Sequence, residues 1–179
     1  MAIDITELVN QLSGELRDTA YKASDSLGRI GTEEVVDAMI DLLRHPNPES
    51  RILAARTLGL VPNNGKALEP LFEALKDKEN SAILGELLTA LEGFDISGMY
   101  VELFRLYLFG SYKVSMIAKE LLDYKEFDIT TRVLKKATKH WDHFVHNVRH
   151  DEAYELRKAE VEEMLEDLRA YLKDNNLSE

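Results

Sequence analysis

Residues 48–59 read PESRILAARTLG, and this stretch is the strongest indication of the fold. Its proline suits the first turn of a helix, because the ring fixes the required backbone angle and the missing N–H is not needed there. Paired alanines and then Leu-Gly mark the other end. Weaker copies of that signature stand at 23–28, 87–91 and 118–122, each near the end of the second of two successive amphipathic runs. Copies spaced a little over thirty residues apart indicate helical hairpins stacked as a solenoid.

The first helices of successive hairpins also repeat a pattern of apolar residues. Because residues at helical spacing share one face, each first helix is predicted to have an apolar stripe. Three apolar positions recur at two successive intervals of 32 residues: Met39, Ile40 and Leu43, then Leu71, Phe72 and Leu75, then Leu103, Phe104 and Tyr107. Agreement at three positions over two periods strengthens the prediction of a repeat.

Several helix ends are also marked in the sequence. Asp4 is the expected N-cap of the first helix, and Thr32 and Asp128 are the expected N-caps of later ones. The last helix is expected to run from Asp151 to about Lys173. Gly31 is expected to end the second helix in a left-handed conformation. The apolar stripe of the first helix consists of Ile5, Leu8, Val9, Leu12 and Leu16.

The stretch 48–59 resembles the second-helix phrase of HEAT-repeat proteins, which contains an Arg, paired alanines and Leu-Gly. The resemblance extends over roughly residues 1–125, on spacing more than on residue identity outside this stretch. It implies an all-α fold, a right-handed α-α superhelix of about four HEAT-like hairpins. We expect the repeat array at 1–127. Long C-terminal helices at 128–179 should cap it within the same domain, because the last helix is apolar on one face and charged on the other. A coiled-coil partner helix is the alternative for that last segment.

Composition narrows the classes of function. The 179-residue chain contains no cysteine, which excludes a thiolate nucleophile, a disulfide framework and an iron–sulfur cluster. A formal net charge of -11 opposes binding to nucleic acid, which depends on Lys and Arg at the phosphates. No apolar run is long enough to cross a bilayer, and the N-terminus does not resemble a signal peptide, so we expect a cytoplasmic protein with no membrane association. No phosphate loop, nucleophile elbow or catalytic triad pattern occurs, so we expect no enzyme activity and no cofactor.

Residues 140–150, HWDHFVHNVRH, contain four of the five histidines. At helical spacing, His143, His146 and His150 fall on the side opposite the apolar stripe of their helix. They suggest a metal- or anion-binding module as the alternative function. Neighbouring lysines would repel a cation, and a solvated cationic helix end explains the same pattern without any ligand.

The second helices are expected to present a row of side chains along a concave surface, and an extended peptide or helix of a partner protein would fit there. Counting outward from Arg56, we place in this row Lys22, Arg29, Leu53, Arg56, Leu60, Glu86, Met116 and Lys119. Any solenoid has such a row, whether or not a partner uses it. The preferred function is a non-catalytic protein-interaction scaffold or adaptor; a regulatory subunit that acts only inside a larger complex is a further alternative.

The segment 98–109 predicts an unusual helix that is apolar on nearly every side. Such a helix is either buried all round or exposes one face to a partner. We expect later helices to fold over it. The alternative is a partner or homo-oligomer surface that includes Tyr100 and Phe109, because Tyr and Phe are enriched at interfaces.

Overall fold

The computed structural model describes residues 4–13 and 18–177, and all regular secondary structure in these residues is helical. The all-α fold class is therefore confirmed. Leu16, assigned by periodicity to the first helix, lies outside the described residues. The α-helices are α1 (Ile5–Gln11), α2 (Asp18–Ile30), α3 (Glu33–Leu42), α4 (Pro48–Leu60), α5 (Leu68–Lys76), α6 (Leu84–Thr89), α7 (Tyr100–Phe109), α8 (Tyr112–Tyr124), α9 (Thr131–Asn147) and α10 (Glu152–Asp174).

Local sequence signals set most of the helix ends. Asp4 caps α1 by accepting from the Glu7 N–H at 3.3 Å, and Thr32 caps α3 in the same way. Gly31 adopts the predicted left-handed conformation, with φ +56. Asp151 caps α10. The predicted caps at Asp4, Thr32 and Gly31 are confirmed, and the predicted start of the last helix agrees with that of α10 to within one residue.

The predicted N-cap at Asp128 is wrong. Thr130 caps α9 instead, and its hydroxyl accepts from the Val133 N–H at 3.3 Å. The backbone N–H of Asp128 donates to the Ser97 carbonyl at 2.9 Å. Residues 126–130 are therefore non-helical, because a long-range backbone hydrogen bond holds Asp128 before the helix begins.

The chain divides into two compact units, residues 1–95 and 96–179. The first unit contains three hairpins, in which α1 packs on α2, α3 on α4 and α5 on α6. The second helices also contact one another in succession, α2 with α4 and α4 with α6, which is the arrangement of a solenoid. The predicted boundary at 127 lies inside the second unit, and the division into an array and a cap stays a prediction.

Two glycines at the ends of repeats let the second helices of the first unit approach closely. Gly59 lies near the end of α4, and Gly93 ends the 3₁₀ helix Ala90–Gly93. A Cβ atom on Gly93 would overlap the carbonyl oxygen of Gly59, and one on Gly59 would lie 2.8 Å from the Ala90 oxygen. The Leu-Gly signature of the repeat thus has a steric reason, since a side chain at either position would push the two backbones apart.

In the second unit, α7 packs against α8 and α9, and α9 packs against α10. Arg157 on α10 donates to the Tyr107 carbonyl at 2.6 Å, and its guanidinium lies 4.3 Å from the centre of the Tyr107 ring. The Tyr107 hydroxyl also donates to Glu160. Because α8, α9 and α10 all contribute to its cover, the expected burial of the aromatic helix is found. The side chains of α7 that are buried are Tyr100, Leu103, Phe104, Tyr107 and Leu108.

Candidate peptide-binding groove

The second helices of the first unit enclose a groove of about 570 Å³, which we call the second-helix groove. Its side walls include Tyr21 of α2 and Ile52 and Leu60 of α4. Its floor is partly bare backbone at Gly59 and Gly93, the two glycines of the close contact. The groove therefore combines apolar walls with a floor that a bound chain could approach closely.

Three of the residues that repeat spacing placed in the concave row are found in this groove. Arg56, Leu60 and Glu86 line it. Lys22 and Arg29 are exposed on α2 but do not line it.

Leu53 is fully buried, so the prediction that it belongs to an accessible row is wrong. Because α4 packs against α2, α3 and α6, only a narrow strip of its surface stays accessible. The accessible strip contains Ile52, Arg56 and Leu60, which are spaced four residues apart. Leu53, three residues before Arg56, does not belong to it. Counting four residues back from Arg56 would have found Ile52. Tyr21 was also missed, because only the packing of α2 on α4 brings it to the groove.

Arg56 is held in place by two polar partners on α2. Its guanidinium donates to Ser24 Oγ at 2.7 Å and to Asp25 Oδ1 at 2.7 Å. The guanidinium also lies 5.6 Å from the centre of the Tyr21 ring. Asp25 balances its charge, so Arg56 offers directed N–H groups at the groove without a large excess of positive charge.

A buried pair of hydroxyl groups stabilises the contact between α2 and α4 next to Arg56. Ser24 and Thr57 are both fully buried, and their hydroxyl oxygens lie 2.8 Å apart. Thr57 Oγ1 also lies 2.8 Å from the Leu53 carbonyl oxygen. The contacts join α2 to α4 beneath Arg56, so the guanidinium position depends on the helix–helix packing.

We predict that Ser24→Ala lowers the free energy of unfolding by about 1 to 2 kcal/mol, because it removes hydrogen bonds between two helices at a buried position. Urea unfolding followed by circular dichroism measures the change. Ser26→Ala is the matched control, since the Ser26 hydroxyl bonds Lys22 and Arg29 within its own helix. Its expected effect is within about 0.5 kcal/mol. Equal losses in the two variants would contradict a stabilising role for the buried hydroxyl pair.

Residues 5–92 of the chain match the family model described as HEAT repeats. The chain is a HEAT-repeat protein. The match covers all three hairpins of the first unit and nearly the whole second-helix groove. HEAT repeats form all-α solenoids that generally act as protein-interaction scaffolds and are typically not enzymes. No curated protein matches the chain.

The remaining predicted contacts of this HEAT-repeat protein lie in its second unit. Met116 on α8 is 55% exposed, and Lys119 pairs with Asp123 at 2.6 Å. Phe109 is 43% exposed and lies against Phe144, with 5.6 Å between ring centres. Tyr100 is only 6% exposed, so the prediction that it belongs to an open partner surface is wrong. Its ring packs against α7 neighbours and the segment that precedes α9.

The three histidines of the alternative function do not come together. His146 Nδ1 lies 2.6 Å from the Asp142 carbonyl, and His143 Nδ1 lies 3.3 Å from the Asn147 amide. The helix α9 ends at Asn147, so His150 does not continue the predicted helical face. Its ring stacks on Tyr154 with 3.9 Å between centres, and its Nε2 lies 2.9 Å from the Val145 oxygen.

Within 4–13 and 18–177, no group of three or more His, Cys, Asp or Glu side chains is placed to hold a metal ion. The geometry of these residues therefore gives the metal-binding form of the alternative no support. Nor does any helix in the same two ranges have the length and apolar character to cross a bilayer.

Proposed function

We propose that this HEAT-repeat protein is a non-catalytic scaffold or adaptor, and that the second-helix groove binds a peptide segment of a partner protein. The observation that carries the proposal is the clustering of exposed apolar side chains around a groove with a fixed guanidinium. Tyr21 is 42% exposed and Leu60 is 47% exposed. Single exposed apolar residues are common on protein surfaces, whereas a cluster around a concave site is typical of binding.

The polar groups of the groove give a bound segment direction. The Arg56 N–H groups can donate to backbone carbonyls or to a carboxylate of the segment, and Glu86 adds a negative charge on α6. A peptide with two or three apolar side chains and polar groups between them matches this surface. The overall negative charge of the chain disfavours nucleic acid as the partner. We propose that the protein acts in the cytoplasm.

A peptide library displayed on phage tests the proposal with the full chain as bait. Peptides selected on the native protein are made synthetically, and their affinities are measured by fluorescence polarisation. We expect Leu60→Lys to weaken binding at least about tenfold, since it replaces an exposed apolar wall by a charge. Lysine keeps the Cβ and Cγ atoms of leucine, which are two of the three Leu60 atoms that lie near the Gly28 Cβ position.

Tyr124→Lys is the matched control, because Tyr124 is 83% exposed and lies on α8 in the second unit. It should leave the affinities unchanged. Thermal melts establish that both variants are folded. Equal affinities of the native protein and Leu60→Lys for every selected peptide would overturn the proposed site.

A further inference from the structure

The second unit contains a cavity of about 590 Å³ that the proposed function does not use, and we call it the aromatic cavity. Three aromatic rings line it: Tyr100 at the start of α7, Phe127 in the segment before α9, and Tyr171 near the end of α10. The rings of Tyr100 and Phe127 meet edge to face, with 5.3 Å between centres and an interplanar angle of 86°. Tyr100 is 6% exposed, so the accessible ring surface of the cavity comes mainly from the half-buried Phe127 and from Tyr171, which is 46% exposed.

Negative charge surrounds these rings. The carboxylates of Glu126, Asp128 and Asp167 line the cavity together with a single ammonium group, that of Lys125. Three negative charges against one positive leave a formal excess of two negative charges. The pKa of the Tyr100 hydroxyl is raised above its ordinary value, first by burial and then by the negative charges of Asp167 and Asp123. The lining therefore favours a positively charged ligand over a negatively charged one.

We propose that the aromatic cavity binds an organic cation of the alkylated ammonium class, as found in choline and in methylated lysine side chains. The faces of aromatic rings attract cations through their quadrupole, and methyl groups on nitrogen spread the charge over an apolar surface that fits among rings. Carboxylates at the margin add to the attraction without having to coordinate the cation directly.

Other ligand classes fit the cavity less well. An anion would be repelled by the excess negative charge. A neutral apolar molecule would displace water from the carboxylates without supplying a positive charge or a hydrogen-bond donor in its place. A bare metal ion needs converging ligand atoms, and the described parts of the chain bring no such group together. An alkylated ammonium ion satisfies both features of the lining, because it is apolar outside and positively charged.

Isothermal titration of the full chain tests the proposal with two matched pairs of probes. The first pair is choline and 3,3-dimethylbutan-1-ol, which has the same shape but carries carbon in place of the charged nitrogen. The second pair is one peptide carrying either trimethyllysine or alanine. We expect each cationic probe to bind at least about tenfold more tightly than its neutral counterpart. If choline binds, the cavity accepts small-molecule cations. If only the trimethyllysine peptide binds, the ligand is a methylated lysine of a protein partner.

Two variants and a control locate the binding. Tyr171→Leu removes an aromatic wall at a residue that is 46% exposed, and Asp167→Asn removes a charge at an exposed position. We expect each to weaken the affinity for the cationic probe severalfold or more, and Tyr124→Leu to leave it unchanged. If Tyr171→Leu does not fold, Asp167→Asn alone decides. Three results would overturn the proposal: no binding of either cation, equal affinity for the charged and neutral probes, or affinity unaffected by Asp167→Asn. None of these results bears on the second-helix groove.

Discussion

Gly93→Ala should lower the free energy of unfolding of the HEAT-repeat unit by about 3 kcal/mol or more, which is the upper range for an overpacked site. The new Cβ would overlap the carbonyl oxygen of Gly59, so two backbone segments would have to separate. Neither segment can relieve the overlap by rotating a side chain. The contact joins α4 to the 3₁₀ helix Ala90–Gly93, so its loss should loosen the floor of the second-helix groove.

Gly65→Ala is the control for Gly93→Ala. A Cβ on Gly65 would meet no atom within 4 Å, and its backbone is not left-handed. Its expected effect lies within about 0.5 kcal/mol, with a gain permitted because alanine restricts the unfolded chain. Urea unfolding followed by circular dichroism measures both variants. Similar stability of the two would show that the close contact between repeats is not needed for the fold.

Phe104→Ala should be the most damaging single truncation on α7, with an expected loss of about 3 to 5 kcal/mol. Phe104 is fully buried, and its ring centre lies 6.1 Å from that of Tyr100 and 6.4 Å from that of Tyr107. Truncation removes a large apolar surface and leaves a cavity in the middle of the second unit. A loss of this size indicates that α7 is a buried core helix, whereas a small loss would indicate a helix that serves mainly as an interface.

Phe109→Ala is the matched truncation on the same helix. Phe109 is 43% exposed, and its ring packs against one face of α9, through His143 and Phe144. We expect a loss of about 1 kcal/mol, the typical value for a point substitution. Thermal and urea unfolding of both variants give the comparison. A larger loss for Phe109→Ala than for Phe104→Ala would contradict the burial pattern described for α7.

The sequence was most informative where a local signal sets the structure. Gly31 sets the end of α2, and Asn47 and Pro48 set the start of α4, because caps and prolines act on the residues next to them. Asp128 misled the prediction, since a distant partner, the Ser97 carbonyl, decides its conformation. His150 misled it as well, because α9 ends before reaching that residue.

The binding surfaces were harder to predict because they combine separate segments. Repeat spacing placed Arg56, Leu60 and Glu86 in the row, and they line the groove. Leu53 was misplaced because helical periodicity does not show how much of the face is buried by neighbouring helices. Spacing also says nothing about how Phe127, in a non-helical segment, meets the ring of Tyr100. Contacts of that kind depend on tertiary packing, which one sequence read alone does not define.

We propose that this HEAT-repeat protein holds its partners on the second-helix groove. Methyl NMR of the chain, saturated with a peptide selected on it, locates the bound peptide. We expect the largest shift changes at the methyl groups of Ile52 and Leu60, which line the groove. The methyl groups of Leu156 and Leu177, which are 67% and 47% exposed in the second unit, should not change. Changes confined to Leu156 and Leu177, with Ile52 and Leu60 unaffected, would contradict the claim.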